Sequence, residues 1–321
     1  MNINEKQLTC KVCGNADFNQ SYIGKEMQLG MHDEFVYFKC AKCGCLQIAE
    51  IPNNIGKYYP DNYYSFHFRN KELKIKITDF LLKNAIQSRM GQFKPIGWIA
   101  RLFKEYYRNA HFYLTDKRIN YNSKILDVGC GIGELLVNIH QWGFRNLTGV
   151  DPYLKKEITY FDTVKLYKKD IFTVEEKYDL IMLHHSFEHM SDPNAVVSKL
   201  NELLSDDGLL VISIPVVNGY LWRKYQMNWY QVDAPRHFFL HTVNSIAYLA
   251  KKNGLRVKEI MYDSYDGALS ESEYYSRDTD ESETREPITR KTRNAFRKKV
   301  KELNNLKDGD QACFMLEKAN E

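Results

Sequence analysis

The stretch KILDVGCGIGELLVNIHQWG (residues 124–143) decides the fold. A mostly apolar stretch at 125–128 (ILDV) meets glycines at 129, 131 and 133, and then a 3.6-residue periodicity that ends at Gly143. This reads as a buried strand, a tight turn and a helix. Glycines at such a turn let backbone approach a ligand closely and let the helix pack on the sheet.

The same alternation continues outward. NLTGVDPY (146–153), VKLYKKDIF (164–172) and YDLIMLHHSF (178–187) read as the second, third and fourth strands. The fourth is a continuous apolar run suited to a strand covered on both faces. DPNAVVSKLNELLSDDG (192–208) reads as a helix ending at Gly208, and LLVISIPV (209–216) as the fifth strand. TVNSIAYLAKKNG (242–254) is a helix that Thr242 can cap. LRVKEIMYD (255–263) and DQACFMLEK (310–318) supply the sixth and seventh strands. The predicted fold class is α/β: a doubly wound, seven-stranded, mostly parallel sheet with helices on both faces.

A G-x-G-x-G turn alone could serve a nicotinamide dinucleotide, although G-x-G-x-x-G is the expected form there. Other residues shift the balance. Asp127 precedes the glycines, Asp151 ends the second strand where a carboxylate can accept both ribose hydroxyls, and Asp170 ends the third where it can accept from an adenine amine. The fourth strand ends in a polar cluster suited to a transferred group. Glu134 opens the helix and would repel a pyrophosphate at that N-terminus. S-adenosylmethionine carries no phosphate, so it fits. Residues 122–262 resemble the class I methyltransferases, with ILDVGCGIG as first motif, Asp151 as the acid after strand two and Asp170-Ile171 as the adenine-side motif. The resemblance implies that Gly129 and Gly131 wrap the methionine and ribose end and that Asp127 orients the methionine amine. It also implies that the Ile171 backbone meets the adenine ring. Cys130, Gly133, Pro152 and His184 complete the expected cofactor residues.

Acceptor chemistry points to two clusters. His184-His185-Ser186-Phe187-Glu188-His189 follows strand four at the carboxyl edge of the sheet. His185 is the first choice for a general base, with Glu188, His189 and His237 as further catalytic candidates. Glu188 and His189 equally suit a structural role at the helix start. The EHxxDP portion resembles the ubiquinone-pathway O-methyltransferases, in some of which the motif's carboxylates and histidine hold a divalent cation. Here an upstream acidic position of that pattern is His185. The second cluster, residues 228–242, offers Tyr230, Asp233, Arg236 and His237 for acceptor recognition, with Arg236 suited to a phosphate or carboxylate. A capped, salt-bridged loop is the alternative.

Cys10-x-x-Cys13-Gly14 and Cys40-x-x-Cys43-Gly44 form two knuckles. Two such turns supply the four thiolates of a closed, structural zinc site, and Cys45 is a spare thiol suited to packing. The ribbon and its sequel YYPDNYYSF, with DAPRHFF and the closing GDQACFMLEK, resemble bacterial methyltransferases found with polysaccharide and O-antigen biosynthesis enzymes. These are related to sugar C-methyltransferases whose N-terminal part binds zinc. The chain lacks their extra C-terminal domain, so a C-methyl mechanism is not implied.

The predicted organisation is a zinc ribbon at 1–50, an aromatic linker and basic helical segment at 51–121, and a methyltransferase domain at 122–321 with an insertion at about 263–309. The insertion's first half is acidic and its second half basic and helix-forming; a solvated loop with a surface helix, a lid or an oligomer contact all fit. Net charge is +4, yet residues 61–121 hold twelve Lys/Arg against five Asp/Glu, a face suited to an anionic acceptor. Residues 1–60 hold six Lys/Arg and six Asp/Glu, a neutral balance that disfavours a nucleic-acid partner. With no run of about 18 apolar residues and a polar start, a cytoplasmic enzyme is expected. Its predicted acceptor is a small molecule, an anionic sugar or sugar nucleotide. An RNA methyltransferase with a zinc ribbon, or a non-catalytic assembly protein on this fold, is the alternative.

Overall fold

The structure is a computed structural model that describes residues 8–60, 77–90, 111–277 and 288–319. Much of the expected basic helical segment, residues 61–76 and 91–110, lies outside the described residues. In chain order the strands are β1 (Gln20–Lys25), β2 (Glu34–Lys39), β3 (Leu46–Ile48), β4 (Ile125–Val128), β5 (Leu147–Val150), β6 (Ile158–Tyr160), β7 (Val164–Tyr167) and β8 (Tyr178–His184). They continue with β9 (Leu204–Pro215), β10 (Phe239–Leu240), β11 (Leu255–Tyr262) and β12 (Gln311–Lys318). The helices are α1 (Ile77–Arg89), α2 (Glu134–Gln141), α3 (Pro193–Leu203), α4 (Tyr220–Tyr225), α5 (Val243–Lys252), α6 (Asp266–Tyr275) and α7 (Arg290–Asn305).

The larger sheet runs β11-β12-β9-β8-β4-β5-β7-β6. All seven expected strands are present. β4 pairs in parallel with both β5 and β8, so successive connections leave it in opposite directions. Ligands bind at the carboxyl ends of strands at such a switch point. β4 is buried throughout, and Leu180, Ile181, Met182 and Leu183 of β8 are all 0% exposed, as strands covered on both faces require.

β6 is an eighth strand that the sequence does not announce. It pairs antiparallel with β7, Ile158 opposite Leu166. Its turn holds Phe161 and Asp162 at φ of 54° and 58°, positions that glycine or asparagine usually fill. Stacking of Phe161 on His140, with ring centroids 4.6 Å apart, holds the turn in place of a turn-forming residue. α3 stops at Leu203, short of the expected end at Gly208, and β9 begins at once. A β-carbon at Gly208 would fall 2.7 Å from Leu204 Cδ1, so this glycine serves close packing within β9. The insertion is a helix pair at its described ends: α6 stands where a flexible loop was expected, and α7 is the expected basic helix. Arg297 donates to Asp266 between them.

The chain divides into two compact units. The first comprises Met1–Pro60, His185–Val197 and Ser213–Phe314; the second comprises Asp61–His184, Ser198–Ile212 and Met315–Glu321. In the first, the smaller sheet runs β1-β2-β3-β10, so the strands next to the cysteine knuckles recruit a strand almost 200 residues away, Leu46 opposite Leu240. Thr242 caps α5 as expected and forms a capping box with Ser245.

Candidate active site

In the second unit, Gly129, Gly131 and Gly133 take φ of 75°, 50° and 80°. At Gly133 the requirement is double: φ is left-handed, and a β-carbon would fall 2.7 Å from Leu166 Cδ1. The turn is tied to β5, with Gly129 N–H donating to Val150 O (2.8 Å). Asp151 is 8% exposed and accepts from Gly131 N (3.0 Å) and Tyr153 N (2.8 Å). Burial raises its pKa against those two bonds. Asp127 is buried beside it, and burial together with the Asp151 charge pushes its carboxyl up to about 7. A cationic amine brought to this pair relieves both penalties. Asp170 caps the short helix Ile171–Thr173, accepting from Phe172 N, and Ile171 is buried under it. Pro152 follows Asp151 in the turn after β5. Glu134 stands in the first turn of α2, where it disfavours a pyrophosphate. Cys130 accompanies the turn with its thiol pushed far up by burial. His184 ends β8 with Nε2 2.8 Å from Tyr113 Oη.

The second cluster belongs to the first unit. His185 sits at φ 50°, an uncommon conformation for a residue with a β-carbon, with its amide bonded to Ser213 O (2.9 Å). Its side chain is 42% exposed, and its Nδ1 lies 3.4 Å from Glu188 Oε1. Glu188 is fully buried, and neither oxygen has a hydrogen-bond partner among the described residues. Burial opposes its charge, but His185, His189 and His237 outweigh burial and hold the carboxyl down at about 2. Burial likewise opposes charge on His185, and Glu188, with Asp263 and Asp310 behind it, raises the imidazole's pKa above its ordinary value. His189 Nδ1 meets Arg236 O (2.8 Å) and Tyr59 Oη (3.2 Å). His237 Nδ1 donates to Gln231 O (2.8 Å), which leaves Nε2 toward Glu188 at 4.0 Å and Asp233 Oδ2 at 3.7 Å. One ligand atom each from Glu188, His189 and His237 lies within 4.8 Å of the others.

Arg236 does not offer an anion anchor. Its side chain is 0% exposed, and its guanidinium donates to Asp233 (2.6 Å) and to Glu26 (2.9 Å). Glu26, also fully buried, accepts in addition from the amides of Gln28, Leu29 and Met31. With both charges satisfied inside the protein, the alternative of a braced loop is the one the geometry supports for Arg236 and Asp233. Tyr230 donates its amide to Ser272 Oγ (2.9 Å), and its ring lies 5.9 Å from that of Tyr275. Arg236→Ala leaves Glu26 buried without its cation, so a stability loss of about 3–5 kcal/mol is expected in chemical denaturation. A stable Arg236→Ala protein with only a raised acceptor KM would restore the anchor reading.

The four knuckle cysteines converge in the first unit. Cys10 Sγ lies 3.6 Å from Cys43 Sγ, and Cys13 Sγ 3.5 Å from Cys40 Sγ, with all four within 4.8 Å. A tetrahedral zinc with Zn–S of about 2.3 Å needs sulfurs about 3.8 Å apart, so the cage has the right size. Both knuckles repeat one turn, Gly14 N to Cys10 O (2.8 Å) and Gly44 N to Cys40 O (2.9 Å). Gln47 Nε2 donates to Cys10 Sγ (3.1 Å), a bond that favours thiolate. Cys45 is buried and packs outside the cage, 3.9 Å from His241 Nδ1.

Sequence reading missed the residues that arrive from far along the chain: Glu26 against Arg236, Tyr59 against His189, Tyr113 against His184. No local pattern marks them, because each acts only through a partner 71 to 210 positions away.

A sheet whose central strands β8, β4, β5 and β7 run parallel, a glycine turn at its switch point and an acid at the end of the next strand define a class I S-adenosylmethionine-dependent methyltransferase domain. The family model described as "Methyltransferase domain" matches residues 98–260, and the chain belongs to that family. The ubiquinone biosynthesis O-methyltransferase of Glaesserella parasuis is 30% identical over 142 residues, 38% of this chain and 56% of that protein. The (S)-coclaurine N-methyltransferase of Papaver somniferum is 30% identical over 112 residues, 31% of this chain and 32% of that protein. The chain thus spans about half or less of the length of these curated relatives. Among solved structures, a phospholethanolamine N-methyltransferase 2 of Haemonchus contortus in complex with phosphomonomethylethanolamine and S-adenosylhomocysteine gives a TM-score of 0.47 at 16% identity. That match covers 94% of this chain and 68% of the other. No helix among the described residues is long and apolar enough to cross a membrane.

Proposed function

We propose that this protein transfers a methyl group from S-adenosylmethionine to a small acceptor, with a structural zinc in its N-terminal ribbon. The acceptor we propose is a sugar or sugar nucleotide of surface-polysaccharide synthesis. The observation that carries the methyltransferase reading is the pair of enclosed carboxylates at the glycine turn, Asp151 bonded to Gly131 N and Asp127 with its pKa raised. The sugar reading rests on the resemblance of the ribbon and of DAPRHFF, and on the excess of Lys/Arg in residues 61–121.

When bound, the sulfonium supplies a methyl group already activated for in-line displacement. The protein's residues then need only bind, orient and take a proton. Asp151 holds the turn and accepts from ribose. Asp127 faces the amine. His185, exposed enough to meet an acceptor, takes the acceptor's proton at an imidazole nitrogen, and Glu188 stabilises the imidazolium that results. His189 and His237 are proposed beside it, each with Nδ1 fixed on a backbone carbonyl. Residues Tyr230 and Asp233 shape the same loop.

Calorimetry with S-adenosylhomocysteine tests the cofactor reading. Asp151→Ala is expected to weaken binding by about 1–3 kcal/mol, the cost of a lost buried hydrogen-bonding partner. Affinity is also expected to fall as pH drops through about 7, where Asp127 protonates, and Asp127→Asn is expected to flatten that dependence. Tight binding of a nicotinamide dinucleotide without S-adenosylhomocysteine binding would overturn the assignment. Mass spectrometry with a labelled methyl donor and candidate nucleotide sugars tests the acceptor; label appearing on RNA or on a phenol instead would replace the sugar reading.

One observation favours a second reading of the polar cluster. Glu188 is buried with neither oxygen hydrogen-bonded among the described residues, His185 Nδ1 at 3.4 Å being its nearest ionic neighbour, and it lies by two histidines whose Nδ1 atoms are held by carbonyls. A divalent cation there would satisfy it, and elemental analysis showing a second stoichiometric metal beside zinc would establish that reading.

A further inference from the structure

We infer that Tyr113, from the segment that precedes β4, is a positioning residue of the cofactor site and acts through His184. The inference rests on the methyltransferase reading above. Asp127 of β4 is level with Met182 of β8 in the parallel ladder. His184 ends β8 two residues past that pair, as Gly129 opens the turn two residues past Asp127, so both stand where neighbouring parallel strands reach their carboxyl ends. His184 therefore borders the glycine turn on the ligand edge of the same unit.

Its ring is not left to rotate. Tyr113 Oη lies 2.8 Å from His184 Nε2 and 2.7 Å from His111 Nδ1. One hydroxyl thus lies within hydrogen-bonding reach of both imidazoles and couples the tautomer of His184 to that of His111. His111 is held at φ 56°, its ring 5.5 Å from that of Trp142, and burial pulls its pKa to about 4, so it stays neutral at physiological pH. Tyr113 itself is 1% exposed. A buried hydroxyl between two imidazoles is more than packing requires, because a phenylalanine would fill the same volume.

Tyr113→Phe keeps the ring and deletes the hydroxyl. Its expected result is S-adenosylhomocysteine affinity lowered about tenfold, a changed tautomer signature of His184 in imidazole nitrogen-15 NMR, and no change in acceptor KM. Wild-type binding with an equally tight Tyr113→Phe variant would overturn the role of Tyr113 alone. Wild-type protein that binds no S-adenosylhomocysteine would bring down the methyltransferase reading and this inference with it. If the variant does not fold, the wild type still decides. Titration with S-adenosylhomocysteine must shift the His184 imidazole signals, and signals that stay fixed at saturation would overturn the proposal.

Discussion

His185→Ala is expected to lower turnover by about 10²–10⁴ while S-adenosylhomocysteine affinity stays near wild type. The residue has three properties that a proton acceptor needs. Its side chain is 42% exposed, so an acceptor can reach it. Its Nδ1 faces a buried carboxylate at 3.4 Å, so a positive ring is stabilised once formed. Its backbone at φ 50° is fixed by the Ser213 carbonyl rather than by helix or sheet regularity, the kind of conformation that clusters at functional sites. A merely structural histidine here would give a different pattern, with melting temperature and activity falling together. Full activity in a stable His185→Ala protein would eliminate the base.

The same cluster predicts a pH profile with a definite sign. His185 accepts a proton only when neutral, and Glu188 holds its pKa up. Activity should therefore rise with pH through a value above that of an ordinary histidine. Glu188→Gln removes the negative charge, so the His185 pKa falls and the acid limb of kcat/KM moves to lower pH. Asp263 and Asp310 also face His185 electrostatically, so the limb keeps part of its displacement in that variant. An acid limb that does not move would assign the titration to another group.

The sheet was legible in the sequence because its evidence is local. Apolar runs ended by Asp127, Asp151, Asp170 and His184 each carry their own period and stop signal, and the glycine turn fixes which strand comes first. β6 was not legible, because a turn built on Phe161 and Asp162 depends on a ring stacked from α2 and not on turn residues. Within the polar cluster, the proximity of His185 and Glu188 follows from their place just past the end of β8. Arg236 could not. Its role depends on Glu26, 210 residues earlier, and a sequence shows a cation without showing that its charge is already neutralised. The convergence of the ribbon's four cysteines was legible from spacing. That β10 completes their sheet was not, because a two-residue strand has no periodicity to detect.

Cys43→Ser is expected to abolish zinc binding and to unfold the ribbon sheet, with methyl transfer lost as a consequence. Structural zinc contributes about 10–16 kcal/mol of apparent binding free energy in small ribbons, as much as the whole stability of an ordinary domain. On the zinc reading proposed above, a four-cysteine cage of the right size, with few apolar residues of its own around it, would make β1 to β3 dependent on the ion. The effect extends beyond the ribbon because the same residues hold the loop that carries His237. Thr242 Oγ1 donates to Cys43 O (2.7 Å), Ile48 N–H donates to Phe238 O (2.9 Å), and Tyr37 Oη donates to His237 O (2.9 Å). β3 pairs directly with β10. Removing the metal therefore frees the backbone on both sides of His237 and cuts the Glu26 support of Arg236. Elemental analysis of protein purified under reducing conditions should find one zinc per chain in the wild type and none in Cys43→Ser. Limited proteolysis should cut the variant within residues 10–50, and chelation of the wild type should reproduce both the cleavage and the loss of turnover. A metal-free wild type that resists protease and keeps its activity would overturn the zinc assignment, leaving the four thiols to be explained by packing alone.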